Sequence, residues 1–246
     1  MHPTWLDRTS LLIGPQALDI LSASHVMICG LGGVGSWAAE FICRAGVGEM
    51  TILDNDTVKP SNRNRQLSAL KSTEGMLKTD VLAKRFLDIN PELKLHVHNV
   101  FLKDELTYQL IEDCNPDYII DAIDTLAPKV FLIHFAKTHN FNIISSLGAG
   151  GRLDSSKVQV ADISKSKNCR LAFYMRKRLR KLGVSKGVKV VFSTELVDND
   201  AVILVKDEDN KKSTVGTISY IPAIYGAFCA SAVVNDLIKK EEYKQQ

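Results

Sequence analysis

Six residues, Gly30-Leu-Gly-Gly-Val-Gly35, constrain this chain more than any others, because of what stands on either side of them. The apolar run His25–Cys29 precedes them directly and, by its length, reads as a buried strand. Ser36 to Ala45 has helical texture, and Met50–Leu53 is a second short strand that ends at Asp54. Strand, glycine turn, helix and strand with an acid at its tip form a phosphate-binding unit. The glycines let backbone N–H groups approach phosphate, the helix N-terminus adds positive potential, and the acid can hold a ribose hydroxyl. Nicotinamide and flavin sites use the same unit, so these residues alone do not select a nucleotide.

The next stretch narrows the choice. Asn55-Asp-Thr-Val58 follows Asp54, then Ser61-Asn-Arg-Asn-Arg-Gln66, and Lys78 stands twelve residues beyond Gln66. A dinucleotide already has its pyrophosphate served by the glycine turn. A triphosphate about to be split carries more charge, and Arg63, Arg65 and Lys78 are placed to offset charge on a leaving pyrophosphate. The bland alternative is an ordinary solvated loop and helix face. The ordered set favours an ATP site.

Beyond this unit strands and helices alternate. A helix is expected from about Thr73 to Leu87, stopped at Asn90-Pro91, then a strand from Leu93 to Val100 and a helix from Lys103 to Glu112. A strand from Asp117 to Ile123 ends at Asp124, and a helix from about Pro128 to His139 leads to a strand over Phe141–Ser146. This order predicts an α/β fold, Rossmann-like and doubly wound, with a mainly parallel sheet and ligands beyond its C-terminal edge. Gly148-Ala-Gly-Gly151 reads as a flexible joint. After it Val158–Ile163, Lys189–Thr194 and Ala201–Lys206 look antiparallel. With no long linker, the chain reads as a single domain over 1–246. About 1–150 forms a nucleotide-binding half and about 151–246 a substrate-facing half.

At 246 residues the chain can bury a full core. Cys29, Cys43, Cys114, Cys169 and Cys229 are an odd, scattered set with no two three apart, which argues for a reducing compartment and against a structural zinc. Cys29, Cys43 and Cys229 read as core fillers. Cys169 lies among Lys165, Lys167 and Arg170, whose charges would favour a thiolate, so it is open to either a structural or a covalent reading. The apolar stretch Ser10–Ile13 is too short for a signal peptide. The longest apolar segment, Val215 to Val234, carries Gly216, Pro222 and Gly226, with Ala223, Ala227 and Ala230 at helical spacing. It reads as a closing helix packed on the sheet, and the expectation is a soluble, cytoplasmic protein without a membrane partner.

A net charge of +3 conceals an asymmetry. Ten of the 31 basic residues and none of the 28 acidic ones lie between Lys165 and Lys189, which leaves the rest of the chain at −7. Leu171, Met175, Leu179 and Leu182 form one helical stripe ending near Gly183. Arg176, Lys177, Arg178, Arg180 and Lys181 surround it. Such a helix suits a sequence-independent, salt-sensitive grip on nucleic acid. A solvated face and a lipid surface are the alternatives, and the neighbouring residues do not read as the large aromatic face a membrane binder uses.

Asp7-Arg-Thr9, the three-glycine turn, Asp54-x-Asp56-Thr-Val, Asn62-x-x-Arg65-Gln66, Lys78 and Asp121-Ala-Ile-Asp124 together resemble the ubiquitin-activating-enzyme-like adenylyltransferases. Within that superfamily the chain is most similar to the tRNA threonylcarbamoyladenosine dehydratases, a likeness extending through Gln159–Ser164, Arg176–Lys181 and Val190–Glu195. The resemblance implies ATP and magnesium as cofactors and tRNA as partner. It assigns ATP contacts to Gly30, Gly32, Gly33, Gly35, Asp54, Asp56, Asn62, Arg65, Gln66 and Lys78, and the metal to Asp124. It gives catalytic roles to Arg65, Lys78, Asp124 and Arg8, the last reaching in trans across a homodimer. The tRNA would lie on Arg176, Lys177, Arg178, Arg180 and Lys181. An adenylating activator of a small sulfur-carrier protein, a sulfur-transfer accessory partner and a nicotinamide oxidoreductase remain open at this point.

Overall fold

The computed structural model describes residues 2–102, 104–204 and 213–242. Its main sheet has seven strands: β1 (His25–Cys29), β2 (Glu49–Leu53), β3 (Lys94–His98), β4 (Tyr118–Asp121), β5 (Ile143–Ser146), β6 (Val158–Asp162) and β7 (Lys189–Ser193). A separate two-stranded ribbon pairs β8 (Val202–Leu204) with β9 (Ser213–Val215). The helices are α1 (Asp7–Ile13), α2 (Pro15–Ala23), α3 (Gly35–Arg44), α4 (Lys78–Ile89), α5 (Asp104–Cys114), α6 (Leu126–Thr138), α7 (Arg170–Lys181) and α8 (Tyr220–Glu242).

Strand order is β3-β2-β1-β4-β5-β7-β6, parallel throughout except for β6, which runs antiparallel to β7. The order reverses between β1 and β4, where Cys29 lies opposite Asp121, and this opens a crevice at the sheet's C-terminal edge. Strand residues alternate between two cores. Val26 and Ile28 face α3, α4 and α8, whereas Met27 and Cys29 face α5, α6 and α7. Cys29, Cys43 and Cys229 are all fully buried, and burial pushes the thiols of Cys43 and Cys229 up to about 12.

Over Tyr220–Lys239 the closing helix has the length and mean hydropathy (1.5) of a membrane span. Its stripe Ile221, Tyr225, Cys229, Val233 and Leu237 instead fills the first core. Gly226 permits the close approach to α3, since a Cβ there would stand 2.7 Å from the Val34 carbonyl oxygen.

Several expectations need correction. The helix expected from Thr73 starts at Lys78, because Gly75 takes a positive φ of 83° and Leu77 bridges to Thr57. The strand expected to reach Ile123 stops at Asp121. Lys189–Ser193 is parallel to β5, so within the main sheet only β6 reverses. Gly150 and Gly151 are a packed corner rather than a flexible joint: Cβ atoms there would meet Val215 at 2.9 Å and Val197 at 2.6 Å. The end of the strand expected over Ala201–Lys206 lies outside the described residues.

Candidate active site

The glycine turn sits at the reversal of strand order. Gly30 has φ +89°, donates its N–H to the Leu53 carbonyl (2.8 Å), and would press a Cβ to 3.0 Å from the Ala122 carbonyl. At Gly35 a Cβ would stand 1.7 Å from the Gly30 oxygen, so no side chain fits while the turn keeps its shape. Gly33 lies against Arg65 and Pro222. Above Gly32 the space is open, its nearest neighbour being the Gln66 amide nitrogen at 4.0 Å.

Asp54 follows β2 and locks the turn from the other side. Its carboxylate accepts the N–H of Leu31 at 2.6 Å and that of Asp56 at 2.8 Å. Lys78, the first residue of α4, is only 3% exposed. Its ammonium lies 2.7 Å from Asp56 and 3.8 Å from Asp54. The Lys78 N–H also bonds the Asp56 carbonyl, and the Thr57–Leu77 bridge stitches the same two segments. A residue far along the chain is thereby held as a buried cation beside the acid at the tip of β2.

The intervening loop carries the remaining candidates. Asn62 is buried, and its side-chain oxygen accepts from the Lys59 N–H at 3.0 Å. Arg65 bonds the Ser61 carbonyl (2.9 Å) and the Asn64 side chain (2.7 Å). Gln66 is buried with its side-chain oxygen unpartnered, beside open Gly32. An orphaned polar atom there fits a site that a polar ligand completes. Arg63 departs from the expected cluster, because it pairs with Glu74 at 3.5 Å.

Asp124 lies three residues past the end of β4, not at its tip, and is exposed, with the Thr125 hydroxyl donating to it at 3.3 Å. The acid at the strand end is Asp121, which is fully buried. It accepts from Lys129 (2.9 Å), the Ser145 hydroxyl (2.7 Å) and the Ile123 N–H (3.1 Å). Lys129 is fully buried too and also bonds the Ile123 carbonyl at 3.0 Å. Burial pushes the Asp121 carboxyl up, opposed chiefly by the Lys129 charge. This pair pins the segment leading to Asp124. The sequence reading missed Lys129, whose only signal is a lone cation ahead of the apolar run Val130-Phe-Leu-Ile133.

Magnesium takes one or two carboxylates and fills its remaining positions with phosphate oxygens and water. Among the described residues no three His, Cys, Asp or Glu side chains gather around one point. A single exposed carboxylate at Asp124 therefore fits an ion that arrives with a nucleotide.

The other candidates lie apart. Arg8 is exposed on α1, and none of the described site residues bonds to it. On α7, Lys177, Arg178, Arg180 and Lys181 are exposed. Arg176 is half-buried and bonds the Ser166 hydroxyl (2.5 Å) and carbonyl (2.9 Å), so it braces the start of α7. The buried stripe is Ala172, Met175 and Leu179, whereas Leu182 is exposed. Gly183, at φ +81°, ends the helix as expected. Phe173 and Tyr174 are exposed as well, so this helix carries more aromatic surface than its sequence suggested. Cys169 caps α7, its sulfur accepting the Ala172 N–H at 3.5 Å.

Residues 6–246 match the ThiF family. A tRNA threonylcarbamoyladenosine dehydratase of Bacillus subtilis is 38% identical over 245 residues, covering 97% of this chain and 96% of its own. One from Haemophilus influenzae is 35% identical, covering 94% and 92%. The crystal structure of an Escherichia coli tRNA N6-threonylcarbamoyladenosine dehydratase in complex with ATP superposes with a TM-score of 0.89 at 32% identity, covering 98% of both chains. The glycine turn, the Asp54–Lys78 corner and a match along nearly all its length make this chain a member of the ThiF family.

Proposed function

We propose that this chain dehydrates N6-threonylcarbamoyladenosine in tRNA at the expense of ATP. The observation that carries the reading is Lys78, a buried cation held against Asp54 and Asp56 beside a glycine turn that leaves Gly32 open. The ATP complex of the similar Escherichia coli enzyme supports the choice of nucleotide. In this reading the chain is one ThiF-type domain, with the nucleotide on residues 1–150 and the RNA on 151–246.

A carboxylate resists nucleophiles because it is negatively charged and oxide is a poor leaving group. One threonyl carboxylate oxygen attacks the α-phosphorus of ATP, the bond to the bridging oxygen breaks, and pyrophosphate leaves. The carbamoyl group of the same side chain then attacks the activated carbonyl carbon, loses a proton and expels AMP, closing a ring. The net change in the nucleoside is loss of one water. Reacting groups on one side chain need no second domain to bring them together.

Gly30, Gly32, Gly33 and Gly35 cradle phosphate, Asp54 holds the ribose, and Asp56 keeps Lys78 oriented. Asn62, Arg65 and Lys78 face phosphate, with Gln66 beside them, and offset charge on the departing pyrophosphate. Magnesium bound at Asp124 would supply further positive charge there. Arg8 acts from a second copy: α1 exposes Leu11 (89%) and Leu12 (85%) beside it, an apolar face suited to a homodimer contact. Lys177, Arg178, Arg180 and Lys181 hold the tRNA, and Arg176 supports their helix. No sulfur enters the reaction, so an accessory sulfur-transfer protein would be ancillary. A cytoplasmic location places the enzyme with its tRNA.

Exchange of labelled pyrophosphate into ATP tests the first step. Exchange stimulated by tRNA carrying the modified adenosine is expected, and exchange indifferent to that tRNA would refute the acyl-adenylate.

A further inference from the structure

Where α6 and α7 pack together they leave a cavity of about 200 Å³. The first two turns of α6 contribute Ala127, Val130 and Phe131, and the end of α7 contributes Arg178, Lys181 and Leu182. Its floor is apolar, and Phe131 (41%) and Leu182 (37%) are among the exposed large apolar side chains. Both cations on its rim are exposed, and neither is paired with a carboxylate among the described residues. An apolar slot whose lining residues include an exposed aromatic ring and two cations has the composition of a nucleotide subsite: the ring stacks a base while the cations meet its phosphates.

Position supports the same occupant. The α6 helix starts at the sheet's C-terminal edge, just beyond the Asp121–Asp124 segment, and Ala127 is three residues from Asp124. Three residues of chain span at most about 11 Å. Tyr174, exposed one turn before Arg178, extends the same face of α7. The α7 side of the slot (Arg178, Lys181 and Leu182) belongs to the segment with ten cations and no acid, a charge complementary to RNA and not to a second copy of this basic face.

We infer that the α6–α7 cavity holds an unpaired base of the RNA loop, a neighbour of the nucleotide undergoing reaction. The inference rests on tRNA being the substrate. It gives the enzyme a means of reading single-stranded RNA that the phosphate-directed cations of α7 do not provide by themselves.

The test uses the full-length protein, an anticodon stem-loop RNA and a blunt duplex of the same stem. Phe131→Ala should weaken stem-loop binding by about 5- to 150-fold, the range for one lost stacking partner, and leave duplex binding unchanged. The slope of log affinity against log salt should not move. Ala127→Phe, which fills the cavity from a different residue, should do the same. Arg178→Glu should instead weaken both RNAs and lower the salt slope by about 1. Wild-type affinity for the stem-loop in both cavity variants, with Arg178→Glu still weakened, would overturn the subsite and leave the tRNA reading standing. Failure of the wild-type protein to bind either RNA would overturn both. A changed oligomeric state in Phe131→Ala at unchanged RNA affinity would assign the cavity to a second copy of the chain and also overturn it.

Discussion

Replacing Lys129 by methionine removes one partner of a fully buried ion pair and keeps most of the side chain's length. Asp121, fully buried, would then retain only the Ser145 hydroxyl and the Ile123 N–H. Breaking such a pair from one side costs about 3–5 kcal/mol, because the remaining charge stays buried. In a chain of this size each kcal/mol moves the melting temperature by about 2–4 °C, so the expected drop is about 6–20 °C. Burial already raises the Asp121 carboxyl, and losing Lys129 raises it further. A folded-state pKa above the unfolded value means that the folded protein binds the proton more tightly. The deficit is therefore fully present above the raised folded value and shrinks as pH falls through it towards the unfolded carboxylate range, about pH 4. Thermal melts by circular dichroism across that window measure both effects. Adding Asp121→Asn to Lys129→Met should recover most of the loss, because neither partner is then charged. A Lys129→Met melt within about 2 °C of wild type, or a double variant as unstable as the single, would refute the reasoning.

Lys78→Met should lower the rate of pyrophosphate release by about 100- to 1000-fold, the range for losing one preorganised charge contact. Its melt should change less than that of Lys129→Met, since Asp56 is exposed and returns to water. Mixing Arg8→Ala with Lys78→Met tests the trans arginine. Each variant alone should be nearly inactive, while an equal mixture that re-equilibrates should regain about a quarter of wild-type activity, because half the dimers hold one intact site. No recovery would place Arg8 in its own protomer's site, and an Arg8→Ala protein active by itself would place it outside the chemistry. Gly35→Ala should abolish ATP binding in equilibrium dialysis, because its methyl group would stand 1.7 Å from the Gly30 carbonyl.

Local chemistry made the first half of the fold legible. Gly30, Gly35 and Asp54 carry constraints that few other residues satisfy, and they stand between runs short enough to read as buried strands. The start of α4 was harder to place. Residues 73–77 are compatible with α-helix, yet a 3-10 turn ending at Thr73, the positive-φ turn at Gly75 and the Thr57–Leu77 bridge break the helix there, so that Lys78 can meet Asp56. That is a tertiary requirement with no local mark. The Asp121–Lys129 pair was hidden for a similar reason. A charged residue in an apolar helix is visible, but its partner on the strand before it emerges only once α6 folds back along β4. The direction of β7 was likewise invisible, since strand periodicity carries no sign. On α7 the cations were plain, but which of them brace the helix was not: Arg176 looks like its neighbours until Ser166 is placed against it.

The most direct test is nucleoside mass spectrometry of tRNA bearing threonylcarbamoyladenosine after incubation with the protein and Mg-ATP. Loss of one water from that nucleoside, dependent on ATP and abolished by Lys78→Met, is the predicted result. An unchanged nucleoside from a folded, ATP-binding sample would contradict the account and point to a sulfur-carrier protein's C-terminal carboxylate as the group that is adenylated.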